Sequence, residues 1–246
     1  MIRDAIRSFL RKLGASLTAG LAQKKDIDDL YDQVAGLMQI QSAMAGGPVL
    51  KPLRVWVISP DAMAWILADI QGCVAPTVIE FGSGQSTVIL AACLKHKGQG
   101  TLLSIEHDAA HAAAVRRQLD ACGLAAQVDL RVVPLVDYQA TGPFASCQSY
   151  KTSDLPDLKI DIAIVDGPPA VLGEAARLHP LRWVLSRLSS DGVAFLDDTT
   201  RAEERAVLAH LATVFSDLRV DDLRAEKGLA RCTRGAKAVP AVKPGT

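Results

Sequence analysis

Apolar residues along this chain come in short runs of about five, each ending in turn residues and followed by a stretch with helical spacing. The first is Thr77-Val-Ile-Glu-Phe81, which ends ahead of Gly82-Ser-Gly84; apolar positions then resume at helical spacing over 86–96. Runs at 101–105, 128–133, 160–165 and 192–196 repeat the pattern, with helical segments at 109–122, 173–188 and 201–214. Runs this short, bounded by glycine and polar residues, read as buried strands. Strands that alternate with helices predict a parallel sheet with helices on both faces. Leu218–Val220 and Leu229–Cys232 read as two terminal strands forming a hairpin. Ahead of the first strand, Ser59-Pro60-Asp61 supplies an N-cap, a proline at N1 and an acid in the first turn of a helix running to about Ile70. The expected fold is α/β: a Rossmann-like, doubly wound, mostly parallel sheet of about seven strands with a helical N-terminal extension.

That extension, residues 1–48, reads as two helices broken near Gly14–Gly20. Ile27, Leu30, Tyr31, Val34, Leu37 and Met38 fall near heptad spacing, which suits a short dimer helix and hence a homo-oligomer. In the first 25 residues, Arg3, Arg7, Arg11, Lys12, Lys24 and Lys25 against Asp4 give a net charge of +5. These charges interrupt any apolar stretch of a signal peptide. A basic amphipathic helix of this kind packs on its own domain, on a second subunit, or on a membrane surface. Residues 49–234 form the main domain. The tail, 235–246, carries Lys237, Pro240, Lys243, Pro244 and Gly245 and is expected to be disordered.

The whole chain has zero net charge, so no global bias draws it to nucleic acid or acidic membranes. Its five cysteines show no Cys-x-x-Cys spacing, which fits reduced thiols in a cytoplasmic protein. No apolar run reaches the roughly 18 residues of a membrane span.

The candidate chemistry gathers at the strand ends. Gly82-Ser-Gly84 is a tight loop whose backbone can approach a ligand closely. Glu106 ends the next apolar run, where an acid can accept hydrogen bonds from ribose hydroxyls. Together they point to a nucleoside cofactor, against the plainer reading of a glycine turn between strand and helix. A dinucleotide fingerprint requires glycine where Thr87 stands, and Glu80 would repel a pyrophosphate; a cofactor with a cationic end suits both. Asp166, Asp197 and Asp198 also stand just past apolar runs. Five acids on one sheet edge repel one another unless cations accompany them, which a cofactor and a divalent metal would supply. Alternatively, Thr200-Arg-Ala-Glu203 is a capping box, and Asp197 and Asp198 favour the N-terminus of its helix.

The Glu80-x-Gly-x-Gly84 pattern resembles motif I of the class I S-adenosylmethionine-dependent methyltransferases. Trp56 through Thr87, Ser104-Ile-Glu-His107, Val165-Asp-Gly-Pro-Pro169 and Leu196-Asp-Asp-Thr-Thr-Arg201 together resemble a bacterial methyltransferase-domain group, distantly related to catechol-type O-methyltransferases, over about residues 50–215. The resemblance implies S-adenosylmethionine bound by Glu80, Gly82, Ser83, Gly84, Ser86 and Thr87, with Glu106 on the ribose, His107 near the adenine and Asp166 beside the methyl group. It also implies a Mg2+ site at Asp166, Asp197 and Asp198, the last an aspartate where the catechol-type enzymes have an amide. Their lysine after the first acid is missing, since Pro168 and Pro169 fill that loop, so neither a lysine base nor a catechol substrate carries over. The implied reaction is O-methylation of a small-molecule or glycan hydroxyl, with Asp166, Asp197 or His179 as base. Arg177 and Arg201 read either as binders of an anionic acceptor or as solvated surface, and Tyr138 and Tyr150 as parts of a substrate lid. Two other classes remain open: a catalytically silent Rossmann-like binding or partner subunit, and an NAD-dependent oxidoreductase.

Overall fold

A computed structural model describes residues 26–45, 47, 48, 50, 53, 57–139 and 144–235. The basic N-terminal segment expected over residues 1–25 and the tail from 236 lie outside the described residues. The strands are β1 (Thr77–Phe81), β2 (Thr101–Glu106), β3 (Val128–Val132), β4 (Leu135–Tyr138), β5 (Cys147–Tyr150), β6 (Ile160–Val165), β7 (Leu188–Asp197), β8 (Leu218–Leu223) and β9 (Leu229–Arg234). Seven of them form one sheet in the order β3-β2-β1-β6-β7-β9-β8. Neighbours from β3 to β7 pair in parallel, while β9 runs antiparallel to both β7 and β8. The expected seven-stranded, doubly wound sheet is present.

Helices α2 (Pro60–Gly72), α3 (Gln85–Lys97) and α4 (Ala109–Ala121) cover one face. Helices α5 (Leu178–Leu185) and α6 (Ala202–Val214) cover the other. With both faces covered, β1 is buried from Val78 to Phe81, which explains why it reads as a continuous apolar run rather than an alternating one. Alternation still sorts the side chains: Val78 packs on the α2–α4 side, Ile79 and Phe81 on the α5–α6 side. Glu80 therefore shares a face with Val78 and points under α3.

Three local expectations are revised. Helix α5 covers only eight residues of the expected 173–188, because a 3-10 turn at Ala170–Leu172 and Gly173, at φ +132°, hold the preceding chain out of helix. Strand β7 begins at Leu188 rather than 192. The Thr200–Glu203 capping box does not form: α6 starts at Ala202 behind Arg201, and the Thr200 hydroxyl donates instead to the Lys227 carbonyl at 2.9 Å.

The N-terminal extension is helical over 26–43, here α1. Its C-terminal end is anchored by buried Ile40, Ala43 and Met44. Gly36 meets the start of α2 so closely that a Cβ there would lie 2.5 Å from the Pro60 carbonyl. The heptad positions Ile27, Leu30, Tyr31, Val34, Leu37 and Met38 stay exposed on this single chain.

Candidate active site

In an open α/β sheet the ligand crevice lies off the carboxyl ends of the strands, where the strand order reverses. Here that point is β1, flanked by β2 and β6. A cavity of about 520 Å3 opens there, within the roughly 300–1,000 Å3 of ligand sites. Its walls are the loop Gly82–Ser86, the turn after β2, the loop Asp166–Ala170, and side chains from α4, Tyr150, Arg177, Asp198, Arg201 and Lys227.

The glycine loop is built by contact with the loop after β6. Gly82 has φ +97°, and a Cβ on it would sit 3.2 Å from the Gly167 nitrogen. Gly84 differs: its backbone is extended, and a Cβ would meet no atom within 4 Å. That open space belongs to the cavity, so a side chain there would take up ligand volume. The Gly84 N–H donates to Thr87 Oγ1 at 2.8 Å, and Thr87 Oγ1 donates to Glu80 Oε2 at 2.6 Å.

Glu80 and Thr87 thus do not stand where they were expected. Neither lines the cavity; both are fully buried beneath the loop. Glu80 Oε2 also accepts from Ser104 Oγ at 2.7 Å, while Oε1 has no hydrogen-bond partner among the described residues. Burial pushes the Glu80 carboxyl up to about 7, against the nearby hydroxyls of Ser86, Thr87 and Ser104, which pull it down. The residue is a pillar supporting the loop. The period-two alternation of β1 already places it on the helix-covered face.

Glu106 does face the cavity. Its Oε2 accepts from the Ser83 N–H and Oγ, both at 3.1 Å, and its Oε1 from the N–H groups of His107 and Asp108 at 2.7 and 2.9 Å. Three backbone donors fix the carboxylate, and Ser83 Oγ is the one partner free to rotate aside for a ligand hydroxyl. His107 Nδ1 lies 2.9 Å from Glu106 Oε1, but the angle is wrong for a hydrogen bond. Farther along the wall, His111 bonds the Ser83 carbonyl at 2.9 Å, and Gln118 pairs with Gln85. Tyr150, fully buried, lines this space with a hydroxyl that has no hydrogen-bond partner among the described residues.

Asp166, Asp197 and Asp198 converge as expected, with ligand atoms within 4.8 Å of one another. They are not alone. Arg177, 5% exposed, donates from Nη2 to Asp198 Oδ2 at 2.9 Å and to Asp166 Oδ1 at 3.2 Å, and from Nη1 to the Asp197 carbonyl. Glu204 lies 3.7 Å from the same guanidinium, and Arg201 pairs with Asp198 at 2.9 Å. Lys227 Nζ stands 3.3 Å from Asp197 and 3.5 Å from Asp198. Asp198 takes φ +63°, a left-handed conformation that an aspartate tolerates at a turn. Asp166 and Asp198 line the cavity; Asp197 lies behind them, 1% exposed, with neither carboxylate oxygen hydrogen-bonded among the described residues. Burial and the neighbouring Asp197 hold the Asp166 carboxyl well above the ordinary carboxylate range, and burial likewise raises Asp197.

His179 is not brought to this site. It stacks on Tyr138 at 3.6 Å and shares a 2.8 Å hydrogen bond with Thr152, and burial lowers its pKa to about 4. It does not line the cavity. The surface reading of Arg177 also fails: it is buried and pairs with Asp166, Asp198 and Glu204. Tyr150, expected in a substrate lid, is instead fully buried against the cavity; Lys227, His111 and Gln118 had no local signal. Each reaches the cavity only through long-range packing.

Residues 79–199, the segment that contributes the glycine loop, Glu106 and the three aspartates, match the family model described as "Methyltransferase domain". This segment is a methyltransferase domain. A catechol O-methyltransferase from Niastella koreensis is 31% identical to the chain over 129 residues, 48% of this chain and 55% of the relative. The chain thus spans about half the length of this curated relative. An S-adenosylhomocysteine-bound methyltransferase of Podospora anserina superposes with a TM-score of 0.61 at 14% identity, covering 87% of this chain and 96% of that one. An O-methyltransferase of Bacillus cereus, in complex with S-adenosylhomocysteine, gives 0.56 at 15% identity, covering 85% and 97%. At such identities the structures show that the methyltransferase domain has the fold of this class.

Proposed function

We propose that the protein is an S-adenosylmethionine-dependent O-methyltransferase acting on a small-molecule or glycan hydroxyl. One observation carries the reading: Gly82–Gly84, Glu106 and Asp166 line one crevice at the reversal point of the sheet of a methyltransferase domain. The likeness to a catechol O-methyltransferase favours an oxygen acceptor.

The residues present fit the cofactor. Glu106 would hold the ribose hydroxyls, with Ser83 Oγ giving way. His107, His111 and Gln118 would border the base. Gly84 leaves space that a side chain would fill, and the unpartnered Tyr150 hydroxyl offers a hydrogen bond to a polar group. When bound, S-adenosylmethionine supplies a sulfonium methyl whose carbon–sulfur bond breaks toward sulfur as the acceptor oxygen bonds to carbon. The protein positions the acceptor, excludes water and removes the hydroxyl proton. Asp166 is the assigned base, being the most exposed of the three aspartates at 16%, with burial and Asp197 raising its carboxyl and so making it more basic than an ordinary carboxylate. Arg177 keeps the Asp166 carboxyl oriented through its 3.2 Å contact.

Magnesium does not fit the acid cluster as arranged. A hard cation needs carboxylate oxygens turned toward it, and those of Asp166 and Asp198 are turned toward Arg177 and Arg201. The reaction is therefore derived without it. The oxidoreductase reading is disfavoured by Thr87, whose buried hydroxyl bridges Gly84 and Glu80 where a dinucleotide site needs bare backbone. The α1 face is proposed to contact a second copy of the chain.

Calorimetry separates the readings. S-adenosylmethionine should bind and NAD should not. Binding of NAD alone would replace this function with the oxidoreductase, and binding of neither would favour a silent partner subunit.

A further inference from the structure

Lys227 lies in the turn between β8 and β9, far in sequence from the acids it meets. That turn is clamped from two sides. The Thr200 N–H and hydroxyl both donate to the Lys227 carbonyl, at 3.0 and 2.9 Å, and the Thr199 N–H donates to the Gly228 carbonyl at 3.3 Å. Gly228, at φ +73°, permits the approach, since a Cβ there would fall 2.7 Å from Thr199 Oγ1. On the other side the Glu226 N–H donates to Asp61 Oδ2 at 2.8 Å. The lysine is thus delivered by fixed backbone rather than by a surface side chain swinging in. Its Nζ donates to the Val57 carbonyl at 3.0 Å and faces Asp197 and Asp198. Behind it, both oxygens of Asp197 are buried without hydrogen bonds among the described residues, where this ammonium is their charge partner at 3.3 Å.

We infer that Lys227 holds the cation position of the Asp166–Asp197–Asp198 cluster, so that the site needs no divalent metal and its ammonium faces the acceptor oxygen. Only the last clause rests on the methyl-transfer reading. One of the three ammonium protons goes to the Val57 carbonyl; the ion-pair distances of 3.3 and 3.5 Å to Asp197 and Asp198 exceed the roughly 2.7–2.9 Å of tight charge-assisted bonds, so one of the other two can turn to a fourth oxygen. Burial alone would lower the lysine's pKa, but Asp197, Asp198 and Asp166 raise it, so it acts as a charge and not as a base.

The experiment is manganese binding, followed by electron paramagnetic resonance and by thermal melting with metal or chelator, on the full chain and on K227A and K227M. The wild type should bind no Mn2+ and melt at the same temperature in Mg2+, Mn2+ or chelator. K227A should gain saturable Mn2+ binding and a melting temperature that rises with metal, because Asp197 loses its ammonium partner and Asp198 one of its three cations. K227M fills the space without the charge and should gain less. Mn2+ bound by the wild type overturns the inference without any variant, and so does a folded K227A that binds none. Should K227A fail to fold, K227Q is read in its place. A wild type that binds neither Mn2+ nor S-adenosylmethionine sinks the methyl-transfer reading and leaves the lysine assignment standing.

Discussion

Replacing Glu80 with glutamine tests whether this acid supports the loop as a buried neutral group. Its carboxyl is fully buried, accepts from Thr87 and Ser104 on one oxygen, and has no partner on the other. Burial carries its pKa from 4.5 to about 7. The folded state therefore holds this proton more tightly than the unfolded state. As pH rises above 4.5 the unfolded chain releases its proton first, so stability falls, and the fall levels off above about 7. At about 1.4 kcal/mol per unit, the shift costs about 3 kcal/mol above about pH 8.

Glutamine removes that cost. Its oxygen accepts the same two hydroxyl bonds, and its amide nitrogen takes the unpartnered position that the protonated acid also leaves unsatisfied. Near pH 5, E80Q should match the wild type within about 1 kcal/mol. Near pH 8 it should be more stable by about 3 kcal/mol. Denaturant unfolding of both proteins across this range gives the difference directly. Asp166, Asp197 and Glu204 are also raised and tilt the wild-type curve the same way, but they are common to both proteins and cancel. A difference that does not change with pH, or that favours the wild type near pH 8, refutes the assignment of a buried, titrating Glu80.

Other substitutions probe the cavity. E106A should weaken S-adenosylmethionine binding at least about tenfold in calorimetry, a loss of about 1.4 kcal/mol, and a negligible change would remove Glu106 from the ribose. G82A forces a side chain to φ +97° against the Gly167 backbone and should cost about 1–3 kcal/mol in denaturant unfolding; a neutral result would mean the two loops can separate. H179Q should keep full turnover while losing about 1 kcal/mol of stability with its Thr152 bond; a large fall in kcat would return His179 to the chemistry.

The parts of the site that could be read from the chain are those encoded locally. β1, the glycine loop and Glu106 lie within 30 residues, and their spacing carries the sheet register that aligns Glu80 with Ser104. The aspartates were legible because each follows an apolar run that ends at the same sheet edge. Arg177 was not, because its segment between β6 and β7 has no regular period until α5, and only folding turns it inward. Lys227 was hidden further: its position depends on backbone bonds between the β8–β9 turn and the loop after β7. β4 and β5 pair four residues each across mixed polar sequence, too short for a strand pattern to emerge. Glu80 was the subtler case, since its place before Gly82 fits a cofactor contact while its parity along β1 sends it under α3.

The balance of charge across the cavity links the proposed cofactor to the inferred role of Lys227 in place of a metal. Among the described residues, Asp166, Asp197, Asp198 and Glu204 face Arg177, Arg201 and Lys227. With every acid ionised, four charges against three leave the cluster one negative charge. A proton retained by Asp166 or Asp197, whose carboxyls are both raised, brings it to neutrality. An incoming sulfonium favours loss of that proton, because a nearby positive charge stabilises the carboxylate. Under the proposed function, arrival of the methyl donor then shifts Asp166 toward its ionised, basic form. A divalent ion added to the same cluster would leave it net positive, repel the sulfonium, and hold Asp166 ionised whether or not the donor had arrived.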